Sequence, residues 1–284
     1  MKPLVVSCGL SVAFFIATFS ARADSSFAYN GAVQTYTITQ TGTYIITASG
    51  ASGGSDNLHG TFSAGGLSAT LSAEFLLSAG TILDIAVGGS GSNTGNLYGA
   101  GGGGGTWIVT SDGTPLLIVG GGGGAGENNR PGGNVALTLG SLGSSPSADA
   151  NNGNDAGNGG GFTGPGSNTY GGQGWPSLTG GGDGGYGGGG GGDDSGYYFT
   201  GGGGGGATGG ISGHRYVIQG GFGNGGQPGQ NYSASYLISA IQDSVVGDGF
   251  VDVAAATPEP SNCFLLISGI AGIFLIKRRK TQLR

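Results

Sequence analysis

Three observations predict an all-β fold for the long central part of this chain. Leu67 to Phe75 alternates strictly, with Leu67, Ala69, Leu71, Ala73 and Phe75 on one face and Ser68, Thr70, Ser72 and Glu74 on the other. That period of two is the pattern of a strand on the wall of a core. Other short segments are rich in β-branched and aromatic residues and bounded by turn residues. No segment between the two ends of the chain carries apolar residues at convincing helical spacing.

Residues 1–23 read as a secretory signal peptide with a helical apolar stretch. Lys2 precedes the apolar run Leu4 to Phe19, and the small residues Ala21 and Ala23 fit signal-peptidase cleavage before Asp24. Val5-Val6-Ser7 before Cys8 is a poor lipobox, so no lipid anchor is expected there. Residues 24–254 form the predicted β domain. Val33 to Thr39 and Thr43 to Ala48, separated by Gln40-Thr41-Gly42, read as a hairpin. The alternating segment follows, then Thr81 to Val87. Thr106 to Thr110 and Leu116 to Val119 flank Asp112-Gly113, whose residues tolerate positive φ, and predict a second hairpin. Tyr232 to Ile241 and Phe250 to Val253 are again strand-like, with Gly247-Asp248-Gly249 as a turn between them.

Glycine interrupts this scaffold on a large scale. Of 72 glycines, all but Gly9, Gly269 and Gly272 lie in the body, with runs at Gly101 to Gly105, Gly120 to Gly124, Gly187 to Gly192 and Gly201 to Gly206. The runs lack the strict third-residue repeat and the proline of collagen. They match the Gly-x-Gly-x-x-Gly phosphate-loop pattern trivially, with neither the Lys-Ser/Thr nor the helix that such a loop needs. Two readings remain, a disordered linker and a packed set of extended three-residue-per-turn helices. Fixing a residue costs about 1–2 kcal/mol, whereas a hydrogen bond returns about 0.5–1.5 kcal/mol net. Isolated runs should therefore stay loose. Gly105-Thr106 and Val119-Gly120 tether two runs directly to strands, which favours order.

Charge divides the chain sharply. Lys2, Arg22, Lys277, Arg278, Arg279, Lys280 and Arg284 lie in the two end segments, so Asp24 to Thr257 keeps only Arg130 and Arg215 against fourteen acids, a net charge of −12. No basic groove can be built from two cations, which argues against nucleic acid as a partner. Cysteine occurs only at Cys8 and Cys263, so the body has no disulfide and no cysteine nucleophile or ligand.

In residues 255–284, Pro258, Glu259 and Pro260 precede an apolar run from Cys263 to Ile276 and the basic cluster Lys277, Arg278, Arg279 and Lys280. Fourteen helical residues reach roughly 21 Å, short of the roughly 30 Å hydrocarbon core, which suits a temporary anchor with its basic end held inside. This tail resembles the PEP-CTERM sorting signal of Gram-negative bacteria that make exopolysaccharide. The resemblance implies an inner-membrane intermediate and exosortase, a membrane transpeptidase, as a processing partner.

The body resembles a second family. Phe27-Ala28-Tyr29-Asn30-Gly31, Gln34-Thr35-Tyr36-Thr37-Ile38, Gly42-Thr43-Tyr44 and Ala48-Ser49-Gly50-Ala51-Ser52-Gly53-Gly54 are similar to the start of the glycine-rich domain of anaplastic lymphoma kinase and leukocyte tyrosine kinase. The likeness continues through Leu77-Ser78-Ala79-Gly80, Val87-Gly88-Gly89, Gly101 to Trp107, and Pro115 to Gly124. It implies a tumour-necrosis-factor-like jelly-roll sandwich carrying packed polyglycine helices. The disulfides and neighbouring domains of the kinases are missing here, so their receptor function is not carried over.

Candidate chemistry is sparse. Gly50-Ala51-Ser52-Gly53-Gly54 fits a nucleophile elbow, but no helix pattern follows it, and Ser52 is expected to be structural. His59 and His214 stand in Gly/Ser surroundings and are expected to be loop histidines. Asp183, Asp193 and Asp194 lack calcium-loop spacing and are expected to be solvated. Tyr170, Trp175, Tyr186, Tyr197, Tyr198 and Phe199 interrupt the glycine region and are expected to pin it to the sandwich, an exposed cluster for sugar or protein being the alternative. No catalytic, cofactor or metal residue is assigned. The expected function is that of an exported, non-enzymatic structural or adhesive protein of the envelope or exopolysaccharide matrix; a binding module for a protein or glycan is the rival.

Overall fold

A computed structural model describes residues 25–58, 61–94, 99–144, 156–193, 199–214, 224–243 and 246–256. The signal residues Ala21 and Ala23, the sorting residues Pro258, Glu259, Pro260 and Lys277 to Lys280, and both expected terminal helices lie outside these. So do His59, Asp194, Tyr197 and Tyr198.

The described residues are all-β and contain no helix. Ten strands run as β1 (Ser25–Ala28), β2 (Val33–Thr37), β3 (Gly42–Ser49), β4 (Ala69–Leu77), β5 (Ile82–Ala86), β6 (Thr106–Thr110), β7 (Pro115–Val119), β8 (Tyr232–Ser233), β9 (Leu237–Gln242) and β10 (Phe250–Ala255). They form two antiparallel sheets of five strands, ordered β1-β10-β3-β4-β9 and β2-β5-β6-β7-β8.

The core follows from the strand patterns. β4 buries Ala69, Leu71, Ala73, Phe75 and Leu77 against Ile46 and Ala48 of β3, Val251 and Val253 of β10, and Leu83, Ile85, Ile108, Leu117 and Val119 of the facing sheet. The β6–β7 hairpin forms as expected, with a register shift between Ile108 and Val109. Asp112 stabilises its turn by accepting from the Thr110 hydroxyl and from Thr114 N at 3.1 Å. These bonds hold the Asp112 carboxyl below its ordinary range, the Thr110 hydroxyl contributing most.

The hairpin expected from Val33 to Ala48 does not form. β2 pairs with β5 and β3 pairs with β4 and β10, in opposite sheets. The cause is Ile38, which is fully buried between the sheets. Its N–H donates to Thr81 O and its carbonyl accepts from Gly80 N, both at 2.8 Å, so the chain follows β5 past the point where a hairpin would turn. Gln40-Thr41-Gly42 then carries it across to the other sheet. The expected strand from Tyr232 to Ile241 divides likewise, β8 joining one sheet and β9 the other.

β6 and β7 are buried along nearly their whole length, which explains their continuous apolar sequences. Ile108, Leu117 and Val119 face the sandwich core, while Trp107, Val109 and Ile118 face outward into a second core with Ala86, Leu178 and Ala207. Phe162, Trp175 and Tyr186 pack on this second core from the glycine-rich region. Trp107 is fully buried, stacks at 6.4 Å from Phe162, lies 6.3 Å from Trp175, and donates from Nε1 to Gly187 O at 3.2 Å. Trp175 and Tyr186 therefore pin the glycine region to the sandwich, as the sequence suggested.

At one end of the second sheet the strands run straight into glycine segments: β5 into residues 87–92, β7 into 120–124, and segments 99–105 and 224–231 into β6 and β8. The glycine segments are ordered as a hydrogen-bonded lattice. In the run Gly201 to Gly206, residues three apart donate to the same neighbour. Gly202 and Gly205 donate to Ala100 and Gly103, Gly203 and Gly206 to Gly157 and Gly160, and Gly201 and Gly204 to Asn224 and Gln227, all at 2.9–3.2 Å. The carbonyls accept from three further segments: Gly202 and Gly205 from Gly124 and Gly121, Gly201 and Gly204 from Gly213 and Gly210, and Gly203 from Gly190. Six neighbours around a helix of three residues per turn make a hexagonal array, with the polar groups of each turn satisfied by other segments.

Glycine is required in this array for its missing side chain. A Cβ on any residue of Gly120 to Gly124 or Gly201 to Gly206 would lie within 3 Å of another segment's backbone, and none of these residues has positive φ. Gly113, with φ +89° and nothing within 4 Å of a Cβ, shows the opposite use, a left-handed turn position in open space.

Candidate functional site

The exit of β3 holds the candidate serine. Ser52 is 3% exposed, and its backbone N–H donates to Gly247 O at 3.0 Å while its Oγ accepts from Gly247 N at 2.8 Å. This double link fastens the segment preceding β10 to the first glycine segment. Asp243 strengthens the same closure by accepting from Ser49 Oγ and Thr70 Oγ1, both at 2.6 Å. Asp248 accepts from the N–H and the hydroxyl of Ser90. Ser49, Ser52, Asp243, Gly247 and Asp248 line a cleft of about 320 Å3 that Ile241, Val246 and Phe250 also border. No histidine lines it. Ser52 thus sits in a clasp in which its oxygen accepts a backbone N–H.

Asp183 and Asp193 both depart from the solvated setting expected for them. Asp193 is 1% exposed, not solvated, with its backbone paired to Gly99 and Thr200. It sits where the glycine array meets residues 99–100, and packing of backbone on backbone leaves no room for solvent there. Asp183 is half-buried, and burial raises its carboxyl above the ordinary range. Burial, with Tyr29 as a smaller charge contribution, likewise raises the Tyr186 phenol. Among the described residues no group of three or more His, Cys, Asp or Glu is placed to hold a metal ion.

The second cleft brings together residues that the sequence keeps far apart. Arg130, Pro131, Ser212, His214, Asn224 and Gln227 line a space of about 380 Å3 at the edge of the glycine array. His214 is half-buried in its wall, a tighter setting than the loop expected for it. Arg130 closes a turn in which Gly126 N donates to Arg130 O at 2.9 Å, and its own N–H donates to Ser63 Oγ at 2.9 Å. Asn128 and Asn129 in that turn have φ of 53° and 59°, which Asn tolerates better than most residues. The guanidinium Nη1 donates to Asn224 Oδ1. Sequence reading passed over this cluster because each residue is unremarkable alone; the available signal was that Arg130 is one of two cations in an acidic body.

A third surface lies along β9, the edge strand of the first sheet. Tyr236 is 95% exposed beside it, and Ile238 and Ile241 are more than half exposed. Comparison of the sequence with protein-family models and with curated proteins finds no match.

Proposed function

We propose that the protein is an exported, non-enzymatic structural or adhesive component of the cell envelope or exopolysaccharide matrix. Signal peptidase and exosortase process it from an inner-membrane intermediate, and it ends at the cell surface or outside the cell. The observation that carries this reading is the glycine array. It builds a close-packed, disulfide-free body in which the polar groups of the central runs are engaged by other segments, a design suited to mechanical persistence outside the cell. The acidic body and the two end addresses support the same reading. We assign the sandwich to the tumour-necrosis-factor-like jelly-roll class, supported by its two five-stranded antiparallel sheets and the repeated crossing of the chain between them.

Intact mass of the extracellular protein tests the processing. Loss of Ala21 to Ala23 with the signal, and of the basic tail, is expected. A mature species retaining Thr281 to Arg284 contradicts tail removal, and residence of the whole chain in the cytoplasm contradicts export.

The rival reading, an extracellular module recognising a protein or glycan, is favoured by the apolar exposure of Tyr236, Ile238 and Ile241. Replacement of all three by Ser or Thr would abolish association with a partner under that reading and leave matrix retention unchanged under the first.

A further inference from the structure

We propose that Tyr29 and Tyr186 form an oxidative cross-linking site, at which a peroxide-driven oxidant couples the two rings into a dityrosine staple between the edge of the sandwich and the glycine array. The rings already pair: their centroids lie 6.2 Å apart with planes tilted by 47°, within the range of aromatic pairs. Tyr29 follows β1, an edge strand of four residues that pairs with β10 alone, and is 40% exposed. Tyr186 comes from the glycine region and packs, half-buried, on the second core. Gly89 seats both. A Cβ there would stand 2.9 Å from Cε2 and Cζ of Tyr29, so that ring rests on glycine backbone, and the Gly89 N–H donates to Tyr186 O at 2.7 Å. The turn after Tyr29 is fixed as well, by Gly31 at φ +72° and by Asn30 Oδ1 accepting from Ala32 N at 3.0 Å.

Composition gives the pair its role. From Asp24 to Thr257 the chain has no cysteine and no lysine, so neither a disulfide nor a lysine isopeptide bond can staple it. Tyrosine coupling needs neither. Each phenol gives up one electron and one proton, and one hydrogen peroxide takes both pairs and leaves as two waters. The two phenoxyl radicals then join through a carbon ortho to each oxygen, and the two displaced ring hydrogens move to the oxygens and restore the phenols. The product is lighter than the uncoupled protein by two hydrogen atoms. Burial raises the Tyr186 phenol, so it is protonated at neutral pH and its proton leaves with its electron. The exposure of Tyr29 lets the oxidant reach it and leaves its ring free to turn an edge onto its neighbour. The bond would close a loop from residue 29 to residue 186, a constraint on the unfolded chain of the kind that a disulfide imposes.

The test is treatment of the dilute full-length protein in detergent with a haem peroxidase and hydrogen peroxide, recovery of the species of monomer mass under denaturing conditions, and cleavage after glutamate. Glu74, Glu127 and Glu259 are the chain's three glutamates, so Tyr29 and Tyr186 fall in separate fragments, one ending at Glu74 and the other running from Asn128 to Glu259. Dityrosine fluorescence is expected, with a joined fragment lighter than the sum of these two by two hydrogen atoms. Tyr29→Phe and Tyr186→Phe keep the rings and remove the hydroxyls, and each should abolish the joined fragment. Tyr236→Phe, at a position 95% exposed beside β9, should leave it unchanged. The coupled protein should melt roughly 5 °C or more above the uncoupled one. Tyr29→Phe alters a surface ring and keeps the test decisive if Tyr186→Phe folds poorly. No joined fragment from the wild type, a joined fragment at wild-type yield in Tyr29→Phe, or a coupled protein that melts no higher would each overturn the proposal. Because the purified protein is tested outside the cell, failure here would leave the export reading standing, and cytoplasmic residence would end that reading without touching this site.

Discussion

Adding one methyl group to the glycine array should cost as much as a core truncation, and Gly102→Ala is a case whose neighbouring hydrogen bonds are all known. A Cβ at residue 102 would lie 2.5 Å from the carbonyl carbon of Gly203, nearer still to its oxygen, and 2.9 Å from Gly202 O. Carbon atoms in ordinary contact stand about 3.5–4.0 Å apart, so the two segments must separate by roughly 1 Å. Gly202 N to Ala100 O and Gly205 N to Gly103 O join those same segments at 2.9 Å each. Stretched by that amount, both bonds leave hydrogen-bonding range. Stranding two buried backbone pairs costs about 2–6 kcal/mol, set against about 0.4–1 kcal/mol gained from the stiffer unfolded chain. The net loss is about 1–5.5 kcal/mol, a fall in melting temperature of roughly 2–22 °C for a domain of this size. Gly164→Ala is the matched control. Its Cβ would meet only Ser144 Cβ, at 3.5 Å, and φ at Gly164 is not positive, so it should be neutral or slightly stabilising. Thermal unfolding followed by far-ultraviolet circular dichroism reads both. Equal melting of the two variants would refute the packing argument.

Two further predictions follow from named contacts. Ser52→Ala removes the acceptor of the Gly247 N–H and should cost about 0.5–1.5 kcal/mol in urea unfolding, with no change in a broad esterase and peptidase screen; a wild-type hydrolytic activity abolished by this substitution would promote Ser52 to a nucleophile. Asp183 is raised by burial, so ionising it opposes folding: the penalty is present above its folded pKa and disappears as pH falls to the ordinary carboxylate range. Asp183→Asn should therefore melt above the wild type at pH 7 and level with it near pH 3, and a gap that widens on acidification would reverse the assignment.

How much of this molecule was legible in the sequence depended on whether side chains carried the signal. The alternation through Phe75 located β4 because one face of that strand is core and the other solvent. The β6–β7 hairpin was legible from Asp112-Gly113, a turn with local chemistry. Pairing of β2 was not, since it depends on where Ile38 is buried, and periodicity cannot report which sheet an apolar residue enters. Order in the glycine runs was legible from their tethering to strands, but their neighbours were not, because glycines carry nothing that distinguishes one partner from another. Trp175 and Tyr186 stood out as interruptions; Phe162 and Leu178, which cover Trp107 beside them, did not. The Arg130 cleft was the least legible, assembled from residues as far apart as 130 and 224 and joined by the array itself.

Amide hydrogen exchange across Gly101 to Gly105 and Gly120 to Gly124 tests the central claim most directly, because the claim is that glycine-rich backbone is held by glycine-rich backbone. Gly102 donates to Gly190, Gly103 to Gly122, Gly121 to Gly205 and Gly124 to Gly202, each at 2.8 Å, so these amides should exchange as slowly as those of β6 and β7. Exchange at free-peptide rates throughout both runs, with β6 and β7 still protected, would contradict the array and return the glycine region to a linker.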